Sequence, residues 1–225
     1  IHARHGYHWH HPCHEYPVAD KRIKEVWAQT DKLLVVHKPD PTKSRGQYLD
    51  LLLLAVTEDP RCPRNAFYYA RELTFYHKWL DAIVALNKYL DMPEANWPNE
   101  RCYAMRLLGK AYDALGQDGT EWFKKACNEA PNTREPWIEL AESYMAKKKW
   151  RECFDAALRS LDIKDKALVY TMRPDVWGSL PYDLLALSSY YMNDKDSAKK
   201  YGKIALELEP DNERLKTNLE FYKNN

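Results

Sequence analysis

The chain has 225 residues, with 34 Lys and Arg against 33 Asp and Glu and a net charge of +1, so charge alone implies no nucleic acid and no basic membrane contact. Hydrophobic residues make up 45%, including eight Trp, 16 Tyr and five Phe, which excludes wholesale disorder, and only seven glycines argue against a turn-dense all-β protein. The longest unbroken apolar run, Leu51 to Val56, is far short of the roughly 20 residues that cross a bilayer, so no transmembrane segment is expected.

Residues 1–41 and 42–225 differ in composition and read as two regions. The chain opens on Ile1 without a signal-peptide pattern, and the expectation is that it begins inside a longer product. Six of the eight histidines fall in the first 14 residues, in a stretch that reads as loop because Gly6, Pro12 and Pro17 interrupt it. A short helix is expected over 19–29. Leu33-Leu34-Val35-Val36 then reads as a strand before the Pro39-Asp40-Pro41 breaker, as if closing an α/β domain.

From Thr42 the apolar spacing becomes helical and repeats. Trp137, Leu140, Ala141 and Tyr144 lie at i, i+3, i+4 and i+7, and after a basic turn Trp150, Cys153, Ala157 and Ser160 form a second stripe. Ala70 with Trp79 and Ala82, Gly109 with Phe123 and Ala126, and Ala186 with Ala198 and Ala205 repeat the order of a small residue, a turn and a second helix. Paired helices approach closely only where side chains are short, which gives the small residues their reason. Ala55, Ala126 and Ala205 are each followed five residues later by a proline, Pro60, Pro131 and Pro210, which ends the second helix.

These features resemble the tetratricopeptide repeat, a helix-turn-helix unit of about 34 residues. The small residues 70, 109, 141 and 186 are spaced 39, 32 and 45 apart, so the repeats are degenerate, with insertions expected near 92–98 and 165–180. A half repeat at 44–60 and an amphipathic tail at 212–222 would cap the stack. The expected fold is a mainly α helical-hairpin solenoid behind a short α/β remnant.

The odd, dispersed cysteines Cys13, Cys62, Cys102, Cys127 and Cys153, with no C-x-x-C pair, read as reduced thiols and a cytoplasmic location. The string Arg4, Tyr7, Trp9, Pro12, Cys13-His14-Glu15 resembles the end of the catalytic domain in family 2 glycosyltransferases of the GT-A fold. Lys43 to Leu49, Trp177-Gly178, Pro181 to Leu185, Arg214-Leu215 and Asn218-Leu219 also look like bacterial or phage members that carry tetratricopeptide repeats. The resemblance implies a parent enzyme that moves a sugar from a nucleotide-sugar donor to an acceptor with Mn or Mg. It makes His14 the metal ligand and places Tyr7, Trp9 and Glu15 against substrate. The donor-binding half is missing, so this polypeptide is expected to be inactive alone. Asp194-Lys195-Asp196 has D-x-D spacing but reads as a solvated turn.

The alternative is a non-enzymatic adaptor that holds a peptide or protein in the concave groove. Counting from the small residues puts Arg71, Tyr103, Arg106, Lys110, Asp113, Ile138, Glu142, Met145, Leu187 and Tyr190 on that face. Its front reads as basic and its rear as apolar, which would suit a peptide with one acidic and one hydrophobic end, or a second subunit. A third reading is a metal carrier built from His2, His5, His8, His10 and His11. The Lys147-Lys148-Lys149 turn reads as solvated.

Overall fold

The computed structural model describes residues 5–13, 16–26, 32, 36, 38, 42, 46–167 and 169–224. Strands β1 (Tyr7–His10) and β2 (Tyr16–Ala19) form an antiparallel hairpin with Trp9 opposite Pro17. Among the described residues ten helices follow: α1 (Tyr48–Glu58), α2 (Pro63–Phe75), α3 (Trp79–Leu90), α4 (Pro98–Ala114), α5 (Thr120–Glu129), α6 (Arg134–Ala146), α7 (Trp150–Asp162), α8 (Leu180–Tyr191), α9 (Lys195–Leu208) and α10 (Glu213–Asn224). A 3-10 turn, Pro174–Trp177, precedes α8.

The helix boundaries follow local chemistry. Pro63 and Pro98 open α2 and α4, where the missing N–H would have had no helical partner anyway. Pro60, Pro131 and Pro210 each stand two residues beyond a helix end, as the spacing predicts. Asp194 caps α9 by accepting the Ser197 N–H at 3.0 Å, so its D-x-D spacing belongs to an exposed helix start.

The repeat is clearest in its turns. Two residues past α2, α4, α6 and α8 the chain enters the left-handed region, at His77, Gly116, Lys148 and Asn193. Each turn closes with the same pair of bonds. After α2, Lys78 N donates to Leu73 O at 3.0 Å and His77 N to Thr74 O at 3.1 Å; after α8, Asp194 N donates to Ser189 O and Asn193 N to Tyr190 O, both at 2.9 Å. This is the Schellman closure, made four times. Each turn residue lies seven positions after its small residue, Ala70, Gly109, Ala141 or Ala186, so helix contact and turn share one register.

Each first helix packs on its second, α2 on α3, α4 on α5, α6 on α7 and α8 on α9, while α2, α4, α6 and α8 stand side by side. Helices α4 and α5 approach tightly at two glycines. A Cβ on Gly109 would meet the Phe123 ring at 2.7 Å, and one on Gly119 would meet the Gly109 carbonyl oxygen at 2.1 Å. Phe67, Leu73, Leu86, Tyr89 and Leu108 fill the front core, and Ile138, Tyr144, Cys153, Leu184 and Leu185 fill the rear. Helices α1 and α10 cover the two ends.

The opening segment departs from expectation. The stretch read as loop contains the hairpin, because His8 and His10 alternate with Tyr7 and Trp9 in a two-residue period. Ala19 ends β2 and residues 20–26 are turn and irregular chain, not helix; 27–30 and Leu33, Leu34 and Val35 lie outside the described residues. An α/β remnant has no support, since two four-residue strands joined locally are the only sheet among the described residues. The hairpin rests on the start of α2, where His11 Nδ1 is 3.2 Å from Asn65 Nδ2 and Arg64 lies over the Tyr16 ring at 5.2 Å. No disulfide joins the cysteines among the described residues, and burial pushes the Cys102 and Cys153 thiols up to about 12, which marks them as core rather than nucleophiles.

Candidate functional site

On α6, Glu135, Glu139 and Glu142 recur at i, i+4 and i+7 and put three carboxylates along the first-helix face. Glu139 is buried, and the Arg106 guanidinium of α4, also buried, donates to it from Nε at 2.8 Å and Nη2 at 2.7 Å. Lys110 donates to the same carboxylate at 2.8 Å. Burial alone would raise the Glu139 carboxyl, but Arg106 and Lys110 prevail and hold it well below the usual carboxylate range. A buried charge pair of this kind is costly to break, because either partner alone would be stranded.

The third cation comes from outside the first helices. The described residues of the segment that joins α7 to α8, 163–167 and 169–179, leave their own repeat and cross this face as a strap. Arg134, at the start of α6, holds both ends: it donates to Ile163 O at 2.9 and 2.8 Å and to Val176 O at 3.4 Å, with its guanidinium 4.0 Å from the centre of the Trp177 ring. Midway, Thr171 O accepts from Arg106 Nη1 at 3.2 Å and the Arg173 N–H donates to Glu135 at 3.2 Å. The Arg173 side chain forks onto Glu142 at 2.7 and 3.0 Å and reaches Glu139 at 3.2 Å. Upstream, the Tyr170 hydroxyl donates to Glu100 of α4, and its ring packs against Trp97 and Tyr68 at 5.5 and 6.4 Å. The space left beneath the strap is about 10 Å³, the limit for a single water.

The structure distributes the expected groove residues unequally. Arg71 and Tyr103 do face this surface, Arg71 lying 4.6 Å from the Tyr68 ring and Tyr103 carrying Arg106 at 4.9 Å. Lys110 is partly exposed beside Glu139. Arg106 is only 2% exposed and engaged within the chain. Tyr190 packs against Phe221 and Tyr222 of the terminal cap at 5.0 and 5.6 Å. Ile138 is fully buried, and Asp113 turns to Lys147 at 3.0 Å. The front is therefore not simply basic, because Glu100, Glu135, Glu139 and Glu142 balance its cations. The Lys147 amine is likewise no solvated turn: it donates to Asp118, Thr120 and Ser143 at 2.6, 2.7 and 2.9 Å and ties α4, α5 and α6 together.

Tyr7 and Trp9 share one side of β1, with Trp9 67% exposed. His14 and Glu15 lie outside the described residues, as does His2. Among the described residues no three His, Cys, Asp or Glu side chains converge as a metal cage. Also among them, no helix is long and apolar enough to cross a membrane.

Neither a family model nor a curated protein matches the sequence. Solved structures do match in fold. MamA superposes with a TM-score of 0.57 at 18% identity, over 72% of this chain and 81% of that one. TTC0263, a thermophilic tetratricopeptide-repeat protein of Thermus thermophilus, gives 0.53 at 18% identity, over 80% and 92%. YrrB, described as a tetratricopeptide-repeat protein with an unusual peptide-binding site, gives 0.57 at 14% identity, over 79% and 83%. With the fourfold turn closure, these likenesses establish a helical solenoid of the tetratricopeptide-repeat type.

Proposed function

We propose that this chain is a protein-interaction module that receives a peptide on the face formed by α2, α4 and α6. The observation that carries this reading is the strap itself: Val169 to Arg173, which turns at Tyr170 and Thr171 with Met172 N donating to Val169 O at 3.1 Å, is held there by side chains of α4 and α6, with its tyrosine ring against Tyr68 of α2. Surfaces of stacked hairpins are suited to this use, and YrrB is described as having a peptide site. The partner end that meets α6 is cationic, the reverse of the acidic end expected from Arg71, Arg106 and Lys110 alone. The transferase reading, with its nucleotide-sugar donor, draws no support from the described fold or the neighbours.

The test is selection of peptides from a displayed library on the whole chain. Selected peptides should lose binding to Glu142→Lys and keep it on Asp155→Lys, which alters the exposed side of α7. Equal binding to the natural chain and Glu142→Lys would contradict the reading.

A further inference from the structure

Resting on the binding reading above, we propose that the strap is a built-in occupant of the groove and names its partner. That partner is a peptide with an aromatic residue and, three positions later, an arginine, which enters in place of Tyr170 and Arg173.

The charge balance beneath the strap argues for this occupant. Arg106 and Lys110 both pair with Glu139, and Arg134 interacts with Glu135, whereas the cation that pairs with Glu142 is Arg173 of the strap. A planar guanidinium suits that carboxylate better than an ammonium, since Arg173 engages Glu142 with two nitrogens while a third contact reaches Glu139. At the other end Glu100 accepts a hydroxyl between the Trp97 and Tyr68 rings, which selects tyrosine over phenylalanine. The backbone between the two subsites turns at Tyr170 and Thr171, where Met172 N donates to Val169 O at 3.1 Å, so a partner must make the same turn to place both side chains.

The strap can also yield without dismantling the solenoid. Lys164, Asp165, Lys166 and Ala167 are exposed and Tyr170 is 47% exposed, so only a short central stretch is buried. Val176 and Trp177 belong to the rear core, which keeps the exit of the strap in place while Val169 to Arg173 swings away. A tethered occupant competes at an effective concentration of the order of millimolar, so a peptide in solution binds the natural chain more weakly than a chain whose strap cannot compete.

The experiment uses the whole chain and a fluorescein-labelled synthetic peptide with the sequence of residues 166–174. The double variant Tyr170→Ala/Arg173→Ala, its fold checked by circular dichroism and melting, should bind this peptide at least tenfold more tightly than the natural chain does. Adding Glu142→Lys should abolish that gain, and a peptide with Glu in place of its arginine should bind neither chain. Should the double variant not fold, Arg173→Gln alone should still tighten binding severalfold. Equal affinity for strap-weakened and natural chains, or no binding to a folded variant, overturns the inference. If library-selected peptides nevertheless depend on Glu142, the binding reading stands without it; if they do not, that reading falls as well.

Discussion

The two segments that lengthen the repeat, residues 91–97 and 163–179, carry the same signal in sequence and go to different places. The first stays at the end of its own hairpin, because Arg101, just inside the next helix, donates to Leu90 O at 3.0 Å and Ala95 O at 3.1 Å and to Glu129 at 2.8 Å. The second is drawn back across α6 to α4, where Arg106, 65 residues upstream of Thr171, takes its carbonyl. An insertion settles where its peptide groups find donors and acceptors that water would otherwise have to supply. The two segments meet where Trp97 packs on Tyr170.

The sharpest way to break this comparison is to strand the cation at its centre. Glu139→Ala leaves Arg106 buried without its carboxylate and should cost about 3–5 kcal/mol in denaturant unfolding; a loss under about 1 kcal/mol would mean that the pair is not buried in solution. Next in size is Ala141→Trp, which places a large ring where Ala141 is fully buried and should destabilise the third hairpin by about 1–3 kcal/mol or more. Unchanged helicity and melting temperature would contradict the repeat register. Arg101→Ala should cost about 1–2 kcal/mol and loosen the first insertion, weakening the aromatic subsite through Trp97 while leaving the Glu142 contact in place.

Acid should separate the two segments with the smallest effect. Burial raises the Asp175 carboxyl, but the Arg173 hydrogen bond outweighs it and holds the group below its ordinary value, as Arg106 and Lys110 do for Glu139. Carboxyls depressed in the folded state stabilise it fully above their unfolded values, about 4, and that stabilisation is lost as pH falls through the folded values. In an NMR titration the strap amides should therefore leave their folded positions as pH falls below about 4, before those of 91–97. The strap in Arg173→Gln should respond less.

Much of the solenoid was readable from Ala70, Gly109, Ala141 and Ala186 and from the three Ala-to-Pro spacings, because helix contacts impose a local period. The turns were not, since three of their four left-handed positions hold His77, Lys148 and Asn193 rather than glycine. The β-hairpin was missed because histidines counted as ligands conceal a two-residue alternation. Within the groove, Arg71, Tyr103 and Lys110 could be placed by counting, and the Glu135, Glu139 and Glu142 stripe was equally available on α6. The strap was not: Tyr170 and Arg173 reach Glu100 and Glu142 across dozens of residues, and such a contact leaves no period in the sequence.

The most direct measurement is a double-mutant cycle of unfolding free energies on Glu142→Gln and Arg173→Gln, since these side chains meet only if the strap lies across α6. Their two-pronged contact, partly open to solvent, should give a coupling of about 1 kcal/mol. Additive effects, with no coupling, would contradict a strap seated in the groove.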